Sequence, residues 1–365
     1  MQAPGGDDPV RVQELTVRNF RNLASLDVEL PGDGAVIIGA NGHGKTNFLE
    51  AIYYLVLFRS LRGAKDRELV RFGEAGFFLA GRAMQRVAVG YEVHGRRKKV
   101  TVDHGEVKKL SDGVGLITAV AFAPADQALV AGGPAGRRRY LDILLSLSVS
   151  GYLGALTTMR QSLKQRNAAL RQGREDAARA FDHPFATSAA VVAAARRRWV
   201  MRWAAQYQET CAALGELGDA TLDYAPDHHR ADDAAQRIRE ALDAARPRDV
   251  RRGVTTVGPH RDDVTLMLNG RALRLYGSAG QQRTAAVALR LLEAETLRQA
   301  RGAAPIALYD DVFAELDTGR QERLLALIRE TLPGQAIITA PRDDEIPAAL
   351  LDRPRWRIAE GRLAQ

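Results

Sequence analysis

One segment near the N-terminus carries the residue types that phosphate chemistry needs. Residues 39–46 read G-A-N-G-H-G-K-T, which fits the pattern G-x-x-x-x-G-K-[ST]. The backbone N–H groups of such a turn can surround a phosphate, and a helix N-terminus behind it adds a favourable dipole. Lys45 is predicted to contact the β- and γ-phosphates of ATP, and Thr46 to bind Mg²⁺. The residues that we assign to this site are Gly39, Ala40, Asn41, Gly42, His43, Gly44, Lys45, Thr46 and Asn47.

Two adjacent carboxylates far downstream complete the chemistry of a nucleotide site. Asp310 and Asp311 follow the apolar run 305–309. An acid at the end of such a strand holds Mg²⁺ in other P-loop enzymes, so Asp310 is predicted as a metal ligand. Asp311 can orient or deprotonate an attacking water and is predicted to be catalytic together with Lys45.

A third segment lies between these two. Ser278-Ala279-Gly280-Gln281 precedes a helical pattern, and a serine and a glycine that open a helix form a second anion site. We assign Ser278, Gly280 and Gln281 to nucleotide binding, with a catalytic contribution from Ser278. An ordinary capped helix is the alternative interpretation of the same residues.

The apolar spacing predicts the elements that position these groups. Residues 35–38 form an apolar run typical of a buried strand, and residues 47–55 continue from the glycine turn with a helical pattern. Residues 305–309 and 336–339 predict two more buried strands, and residues 264–268 predict a further strand of the same sheet, followed by a hairpin turn at Asn269-Gly270. Residues 87–93 and 100–103 alternate between apolar and polar around a turn at 94–97, which predicts a hairpin. The sequence thus indicates an α/β protein with its phosphate site at a strand–turn–helix junction.

Composition limits the function classes. The chain has 365 residues with 46% hydrophobic and 26% charged residues, which is typical of a globular protein with sizeable cores. Cys211 is the single cysteine, so disulfide frameworks and cysteine-based metal sites are excluded. The sequence contains no apolar run of about 18 residues and no signal-peptide pattern, from which we expect a cytoplasmic protein without a membrane partner.

The net charge of +8 favours a polyanionic partner such as DNA. Between Arg137 and Arg174 there are eight lysines and arginines and one acid, and a helical pattern places several of the cations on one face. A solvated basic face is the alternative. Contacts to the DNA backbone are expected, without base reading. The DNA-binding candidates are Arg137, Arg138, Arg139, Arg160, Lys164, Arg171, Arg174, Arg196 and Arg197.

The order of these motifs resembles the ABC-type ATPases, which bind ATP between the P-loop of one subunit and the signature serine of another. Further segments resemble the RecF family: N-F-R-N at residues 19–22, R-R-R-Y-L-D at 137–142, Q-R-N-A-A-L at 165–170, G-P-H-R-D-D at 258–263, and D-D-V-F-A-E-L-D at 310–317. Residues 314–317 lie where ABC-type ATPases have their D-loop. The resemblance departs at Tyr309, where the family usually has leucine, and at Ala279, where it commonly has glutamine; neither departure removes a charge or hydroxyl that the mechanism needs.

The resemblance implies a fold and a function. It implies an ABC-type ATPase head. Residues 127–250 are rich in alanine, arginine and leucine with a helical period and no sustained heptads, which predicts an inserted helical lobe and no long coiled coil. The predicted segments are 10–126 as N-terminal ATPase part, 127–250 as helical lobe and 251–365 as C-terminal ATPase part. The resemblance also implies an ATP-dependent homodimer on double-stranded DNA near single-strand gaps, slow DNA-dependent ATP hydrolysis, and action with RecR and RecO to help load RecA.

Other residues receive roles only through this resemblance. Arg21 and Asn22 are expected to border the nucleotide, with a plain turn as the alternative. Gln127 is a candidate for the Q-loop glutamine, or else a solvated surface residue. His260 and Arg261 either couple a sheet to the helical lobe or form a structural turn.

Two other function classes stay open. A transporter ATPase subunit would carry a switch histidine after the strand that follows Asp311, and residues 338–342 contain none. A structural clamp that binds ATP without hydrolysing it would not need both Asp310 and Asp311, although an aspartate reaches less far than the glutamate usual in transporters.

Overall fold

The computed structural model describes residues 10–225, 233–313, 318–347, 350 and 352–364. The segments 1–9 and 314–317 and the pair His228-His229 lie outside these residues. The chain divides into two compact units: the first consists of Met1–Asp126 and Leu289–Gln365, and the second of Gln127–Ala288.

A six-stranded antiparallel sheet forms one layer of the first unit, in the order β2-β1-β4-β5-β6-β7. The β5–β6 hairpin that alternation predicted is confirmed, with its turn at His94–Arg96. The aromatic rings of Phe20, Tyr54 and Phe77 meet edge to face beneath this sheet, at centroid distances of 5.3–6.0 Å. The strands are β1 Glu14–Phe20, β2 Leu23–Glu29, β4 Gly76–Arg82, β5 Arg86–Glu92, β6 Arg97–Val102 and β7 Gly105–Glu106.

A second, mostly parallel sheet carries the nucleotide motifs, in the order β15-β14-β3-β13-β12-β8. Every residue of β3, β8, β12 and β13 is buried, as expected of parallel strands covered on both faces. This burial explains their continuous apolar sequences. The strands are β3 Gly34–Ile38, β8 Ala119–Phe122, β12 Ile306–Tyr309, β13 Ala336–Ala340, β14 Arg355–Ala359 and β15 Arg362–Ala364. The helices of this unit are α1 Lys45–Leu57, α2 Asp66–Leu69 and α11 Thr318–Thr331, together with residues 289–301, which end a helix that begins in the second unit.

The second unit is mainly helical. Its longest helix packs against α5, α8 and β9. With 32 residues it is also the longest helix in the described part of the chain, where no long coiled coil occurs. The elements are α3 Gln127–Ala131, α4 Pro134–Ser148, α5 Tyr152–Arg171, α6 Glu175–Arg179, α7 Asp182–Ala213, β9 Ala220–Ala225, α8 Ala234–Arg252, β10 Asp263–Leu268, β11 Arg271–Ala272, α9 Leu273–Tyr276 and the first part of α10 Ala279–Arg301.

One predicted boundary and one predicted sheet membership are wrong. The insertion begins at Gln127 as expected, but it ends at Ala288 and not at residue 250. The reason is that β10 pairs with β9 and β11 in a separate three-stranded sheet, which holds residues 263–272 in the second unit. The hairpin turn at Asn269-Gly270 is confirmed, although its strands are not part of the ATPase sheet.

None of the helices in the ranges given above is both long and apolar enough to cross a membrane.

Candidate functional site

The glycine-rich turn joins the buried strand β3 to α1, as the sequence predicts. Gly42 and Gly44 have φ values of 83° and 116°, which favour glycine because a Cβ atom would be strained there. Gly44 is the N-cap of α1 and no side chain caps this helix. Gly39 lies so close to the neighbouring strand that a Cβ atom would stand 2.3 Å from the carbonyl oxygen of Ile358. The turn therefore presents backbone N–H groups and a helix start with little side-chain cover.

Lys45 lies inside this turn. Its side chain is 4% exposed, and its Nζ donates to the carbonyl oxygen of Gly39 at 2.8 Å and lies 3.4 Å from Asn41 Oδ1. Nζ also lies 3.6 Å from Asp311 Oδ2. The structure thus places the ammonium group between the phosphate turn and the second of the two adjacent acids.

Asp310 and Thr46 meet although they are far apart in sequence. The Thr46 hydroxyl donates to Asp310 Oδ1 at 2.8 Å, and the backbone N–H of Asp310 donates to the Phe122 carbonyl oxygen at 2.8 Å. Burial raises the pKa of Asp310, and the charge of Asp311 raises it further, while hydrogen bonds from Thr46 and Thr339 act in the opposite direction. A hydroxyl and a carboxylate oxygen are hard donors of the kind that Mg²⁺ prefers, so the pair fits this ion.

Asp311 is fixed by a residue that sequence analysis did not single out. Its backbone has φ of 49°, and its N–H donates to the Thr339 hydroxyl at 3.0 Å. The same hydroxyl lies 3.0 Å from Asp311 Oδ1 and 3.3 Å from Asp310 Oδ1, so it can donate its one hydrogen to either carboxylate. Thr339 lies in β13, the strand beside β12, and only the three-dimensional pairing shows this relationship.

The turn between β1 and β2 borders the phosphate turn, where the sequence placed Arg21 and Asn22. Asn22 donates through Nδ2 to the Gly42 carbonyl oxygen at 3.3 Å and accepts from Asn47 Nδ2 at 2.8 Å. Arg21 adopts φ of 57° and donates through Nε to Glu50 at 3.1 Å. These contacts support the assignment of both residues to the border of the site.

Arg62 is a second residue that the sequence gave no reason to select, since no spacing distinguishes it from Arg59 or Lys65. It donates to Asn47 Oδ1 at 2.6 Å and to Glu50 Oε2 at 2.5 Å, while its side chain stays 43% exposed. Its charge also favours the ionised form of Asp310. Arg62 therefore adds a cation beside the phosphate turn.

Glu50 anchors both arginines beneath the site. Burial opposes its ionisation, but hydrogen bonds from Arg62, Ser60 and Arg21 outweigh that effect and lower its pKa. A buried carboxylate that orients two arginines keeps their guanidinium groups in fixed positions.

The signature-like segment lies in the second unit and opens α10, as predicted. Ser278 Oγ accepts from the Gln281 N–H at 3.2 Å, and Gln281 Oε1 accepts from the Ser278 N–H at 2.9 Å. This reciprocal pair is a capping box. Because Ser278 Oγ acts as an acceptor in the cap, its hydroxyl hydrogen is not used by that bond. The ordinary capped helix and the anion site are thus compatible interpretations of one geometry.

Gln127 is the first residue of the second unit. Its Nε2 donates to Gln282 Oε1 at 3.0 Å, and Gln282 donates in turn to the Leu273 carbonyl oxygen at 3.0 Å. Within this unit Gln127 therefore lies next to the segment that contains Gln281.

Two DNA-binding candidates are wrong because they are buried in ion pairs. Arg137 makes two hydrogen bonds of 2.8 Å to Asp263 and donates to three backbone carbonyl groups. Arg196 is 1% exposed and donates to Asp142 at 2.7 Å and to the Pro259 carbonyl oxygen at 2.7 Å. Arginines with these contacts hold the second unit together and have no surface for a phosphate.

The predicted cationic face of one helix, formed by Arg160, Lys164, Arg171 and Arg174, also changes. Arg174 does not lie on the helix that carries the others, because α5 ends at Arg171 and Arg174 is the N-cap of α6. Arg160 is half-exposed but donates to the buried carboxylate of Asp142 at 2.7 Å. Lys164, Arg171 and Arg174 are exposed, and the half-buried candidates are Arg138, Arg139 and Arg197.

The segments 137–142 and 258–263 pack on each other inside the second unit. Arg138 donates to the Asp262 carbonyl oxygen at 2.6 Å, and Tyr224 donates to Asp262 Oδ2 at 2.6 Å. His260 is largely buried and its Nε2 lies 3.0 Å from the Thr255 carbonyl oxygen. Of the two interpretations of His260, these contacts favour the structural turn.

Comparison with known proteins supports this geometry. Residues 11–353 match the family model described as RecF/RecN/SMC N terminal domain. Among curated proteins, the DNA replication and repair protein RecF of Anaeromyxobacter sp. (strain K) is 38% identical over 96% of this chain and 98% of its own, and that of Myxococcus xanthus (strain DK1622) is 35% identical over 96% of each.

Solved structures agree with the sequence relatives. The recombination mediator protein RecF with ATP superposes with a TM-score of 0.89 at 28% identity, covering 100% of this chain and 99% of that one. An Smc head bound to a domain of ScpA has a TM-score of 0.53 at 13% identity, over 96% of each chain, and shares the fold alone. The ABC-type ATPase head that the sequence predicted is thereby confirmed. The chain belongs to the RecF family.

Proposed function

We propose that the protein is an ATP-dependent DNA-binding ATPase of recombinational repair and replication restart. The observation that carries this proposal is the 2.8 Å hydrogen bond between Thr46 and Asp310 beside an uncapped phosphate turn. It brings together Thr46 and Asp310, the two residues that we propose as ligands of Mg²⁺. The names of the relatives, which are DNA replication and repair proteins, supply the biological setting.

In the proposed site, Lys45 would leave the Gly39 carbonyl group and contact the β- and γ-phosphates. Thr46 and Asp310 would hold Mg²⁺, which neutralises charge on the phosphate oxygens. Arg62 and Asn22 would border the nucleotide from the other side of the turn. These residues bind and orient ATP, and most of the rate enhancement of phosphoryl transfer comes from such positioning and electrostatics.

Asp311 would orient or deprotonate the attacking water. Once Lys45 turns to the phosphates, the Thr339 hydroxyl remains to hold the Asp311 carboxylate, at the distances found here. An aspartate has a short side chain, and slow hydrolysis is therefore expected.

The homodimer is proposed from the two phosphate-binding helix starts. In an ABC-type arrangement, Ser278, Gly280 and Gln281 of one protomer would contact the ATP held by Lys45 of its partner. The unused hydroxyl hydrogen of Ser278 supports this, because the helix cap does not compete for it.

DNA binding is proposed for the exposed cations of the second unit, principally Lys164, Arg171 and Arg174, on double-stranded DNA near single-strand gaps. Arg138, Arg139, Arg160 and Arg197 are half-buried or already paired and would contribute less. By the family resemblance, the partners would be RecR and RecO, with RecA loaded as the result, in the cytoplasm.

A single-turnover ATPase assay with and without gapped DNA tests the proposal. Hydrolysis should be slow and should increase with DNA, and Lys45→Met should abolish both nucleotide binding and ATP-driven dimerisation. Binding of ATP without any turnover would favour the non-hydrolysing clamp. If the rate of ATP hydrolysis were the same with and without gapped DNA, the result would favour the transporter subunit and overturn the proposal.

A further inference from the structure

A trough of about 860 Å³ lies on the outer face of the antiparallel sheet in the first unit, and of the family-like segments described above only N-F-R-N reaches it, through Asn19. Its lining includes one cross-strand row, in which Arg18 of β1, Phe78 of β4, Gly90 of β5 and Lys99 of β6 lie side by side. In this row the ring of Phe78 and the glycine at position 90, which has no side chain, lie between the cations Arg18 and Lys99.

Gly90 shapes the floor of this trough. A Cβ atom at Gly90 would meet only Phe78, whose ring atom Cδ2 would lie 3.9 Å away. The space above the glycine is therefore open, with the partly exposed ring of Phe78 at its side. An aromatic side chain beside an open hollow of this kind is a stacking platform for a flat ring.

The rim of the trough is basic on the side of β6. Of the six lysines and arginines in residues 94–109, Arg97 and Lys99 line the trough, whereas Lys98 pairs with Asp66 at 2.7 Å. Arg97 and Lys99 are exposed, and both line the trough together with His94. The charge of this hairpin complements a phosphodiester chain.

Each of the two cations, Arg97 and Lys99, has a carboxylate near it. Lys99 pairs with Glu106 at 3.0 Å, but both side chains are about half exposed, and exposed ion pairs contribute little free energy. Glu92 lies opposite Arg97 in the strand register. Arg18 donates to Asp27 and to two carbonyl groups of its own hairpin, so it is a wall of the trough and not a phosphate contact.

We propose that this trough binds a segment of single-stranded nucleic acid, with a base on Phe78 above Gly90 and its phosphates beside Arg97 and Lys99. A base–aromatic contact next to a basic strand is the arrangement by which proteins hold single strands without reading sequence. The site lies within the first unit and is distinct from the basic surface of α5. It adds to the proposed function a separate contact for the unpaired strand.

The experiment measures binding of oligo-dT to the full chain without nucleotide, so that its result does not depend on ATP chemistry. The double variant Arg97→Ala/Lys99→Ala should reduce the slope of log affinity against log salt by about 1.4, since each lost contact to a single strand removes about 0.7. The matched control is Arg355→Ala/Arg357→Ala, which removes two exposed arginines that already face Asp343 at 3.7 and 3.0 Å. The control should keep the original slope.

Stacking is tested separately with Phe78→Trp. Its indole fluorescence should be quenched on addition of oligo-dT and unaffected by a poly-glutamate of equal charge, and Phe78→Leu should weaken oligo-dT binding about tenfold. An unchanged salt slope in Arg97→Ala/Lys99→Ala would overturn the proposal. A changed slope without quenching of Phe78→Trp would assign the trough to a polyanion that does not stack, and would equally overturn it.

Discussion

The Thr46 hydroxyl donates a hydrogen bond to Asp310 Oδ1 at 2.8 Å, which links the start of α1 to the end of β12 across 264 positions of sequence. This bond places a hydroxyl and a carboxylate at the same corner of the phosphate turn. Because Asp311 lies one residue further on and faces Lys45 at 3.6 Å, the two adjacent acids have different surroundings.

We therefore expect the two acids to respond differently to the same substitution. Asp310→Asn should weaken Mg²⁺ binding and with it the binding of Mg-ATP. Asp311→Asn should keep ATP binding but slow turnover by roughly 10²- to 10⁴-fold, the usual contribution of a general base. Titration with a fluorescent ATP analogue and single-turnover kinetics measure the two effects. Equal loss of ATP binding in both variants would contradict this division of roles.

Thr339 should act on turnover through Asp311. Thr339→Val has a similar shape but removes the acceptor of the Asp311 N–H and the donor to its carboxylate. Turnover should fall about tenfold or more, the equivalent of one or two lost hydrogen bonds to a charged group, while the ATP concentration at half-maximal rate changes little. Thr339→Ser keeps the hydroxyl and should restore the rate. If serine and valine behaved alike, the hydroxyl would have no positioning role.

The revised basic face of α5 gives a salt test on duplex DNA. Lys164→Ala/Arg171→Ala removes two exposed cations and should reduce the slope of log affinity against log salt by about 1.8, at 0.9 per phosphate contact. The control is again Arg355→Ala/Arg357→Ala, whose arginines face Asp343. Should both double variants give the slope of the unmodified chain, α5 would be a solvated surface.

His260 should make the second unit sensitive to acid. Burial lowers its pKa to about 4 from 6.5, and its Nδ1 has no hydrogen-bond partner among the described residues. Below pH 6.5 the unfolded chain takes up a proton that the folded chain takes up only near pH 4. The free energy of unfolding should therefore fall by about 3 kcal/mol from pH 7 to pH 4 through this residue.

Denaturant unfolding at several pH values measures this effect against the other titrating groups. His260→Gln can still donate to the Thr255 carbonyl oxygen but does not titrate. Its unfolding free energy should depend less steeply on pH between 6.5 and 4 than that of the unmodified chain. Parallel pH profiles would mean that His260 takes up its proton at the same pH in the folded and the unfolded chain, and that burial does not lower its pKa.

The sequence predicted the elements around the phosphate turn because local signals there agree: the apolar runs of β3 and β12 are long enough to be strands and end at glycine or acid residues. It could not predict the partners of Asp311 or Glu50, since Thr339 and Arg62 become neighbours only when strands pair and loops close. The number of basic residues in a segment also failed to identify which arginines are exposed, for the same reason.

Arg137 and Arg196 show that failure most clearly. In the sequence they belong to basic runs, whereas in the fold Asp263 and Asp142 neutralise them. The sequence distances of 126 and 54 positions between these partners leave no local pattern that could reveal the pairing. The misplaced boundary at residue 250 likewise depends on which strands β10 pairs with, and alternation alone does not specify a partner strand.

The last prediction concerns the proposed contact of Ser278 with the ATP of a partner protomer. Ser278→Arg should leave ATP binding to the monomer nearly intact, because its own phosphate turn is unchanged, and should abolish ATP-driven dimerisation measured by light scattering. Since this change also removes the helix cap shared with Gln281, Ser278→Thr is the control. Threonine keeps both the cap and the hydroxyl and should dimerise with ATP.

Mixing Ser278→Arg with Lys45→Met tests whether the two halves of a site come from different chains. In a heterodimer of these variants, one composite site combines the intact phosphate turn of the first chain with the intact Ser278 of the second, and the other site is damaged twice. Each variant alone should be inactive, and the mixture should recover part of the ATPase rate, up to about half at full heterodimer formation because one of two sites is restored. If Ser278→Arg alone kept ATP-dependent dimerisation, or if the mixture stayed inactive while heterodimers formed, Ser278 would be only the N-cap of α10, and ATP would not be shared between protomers.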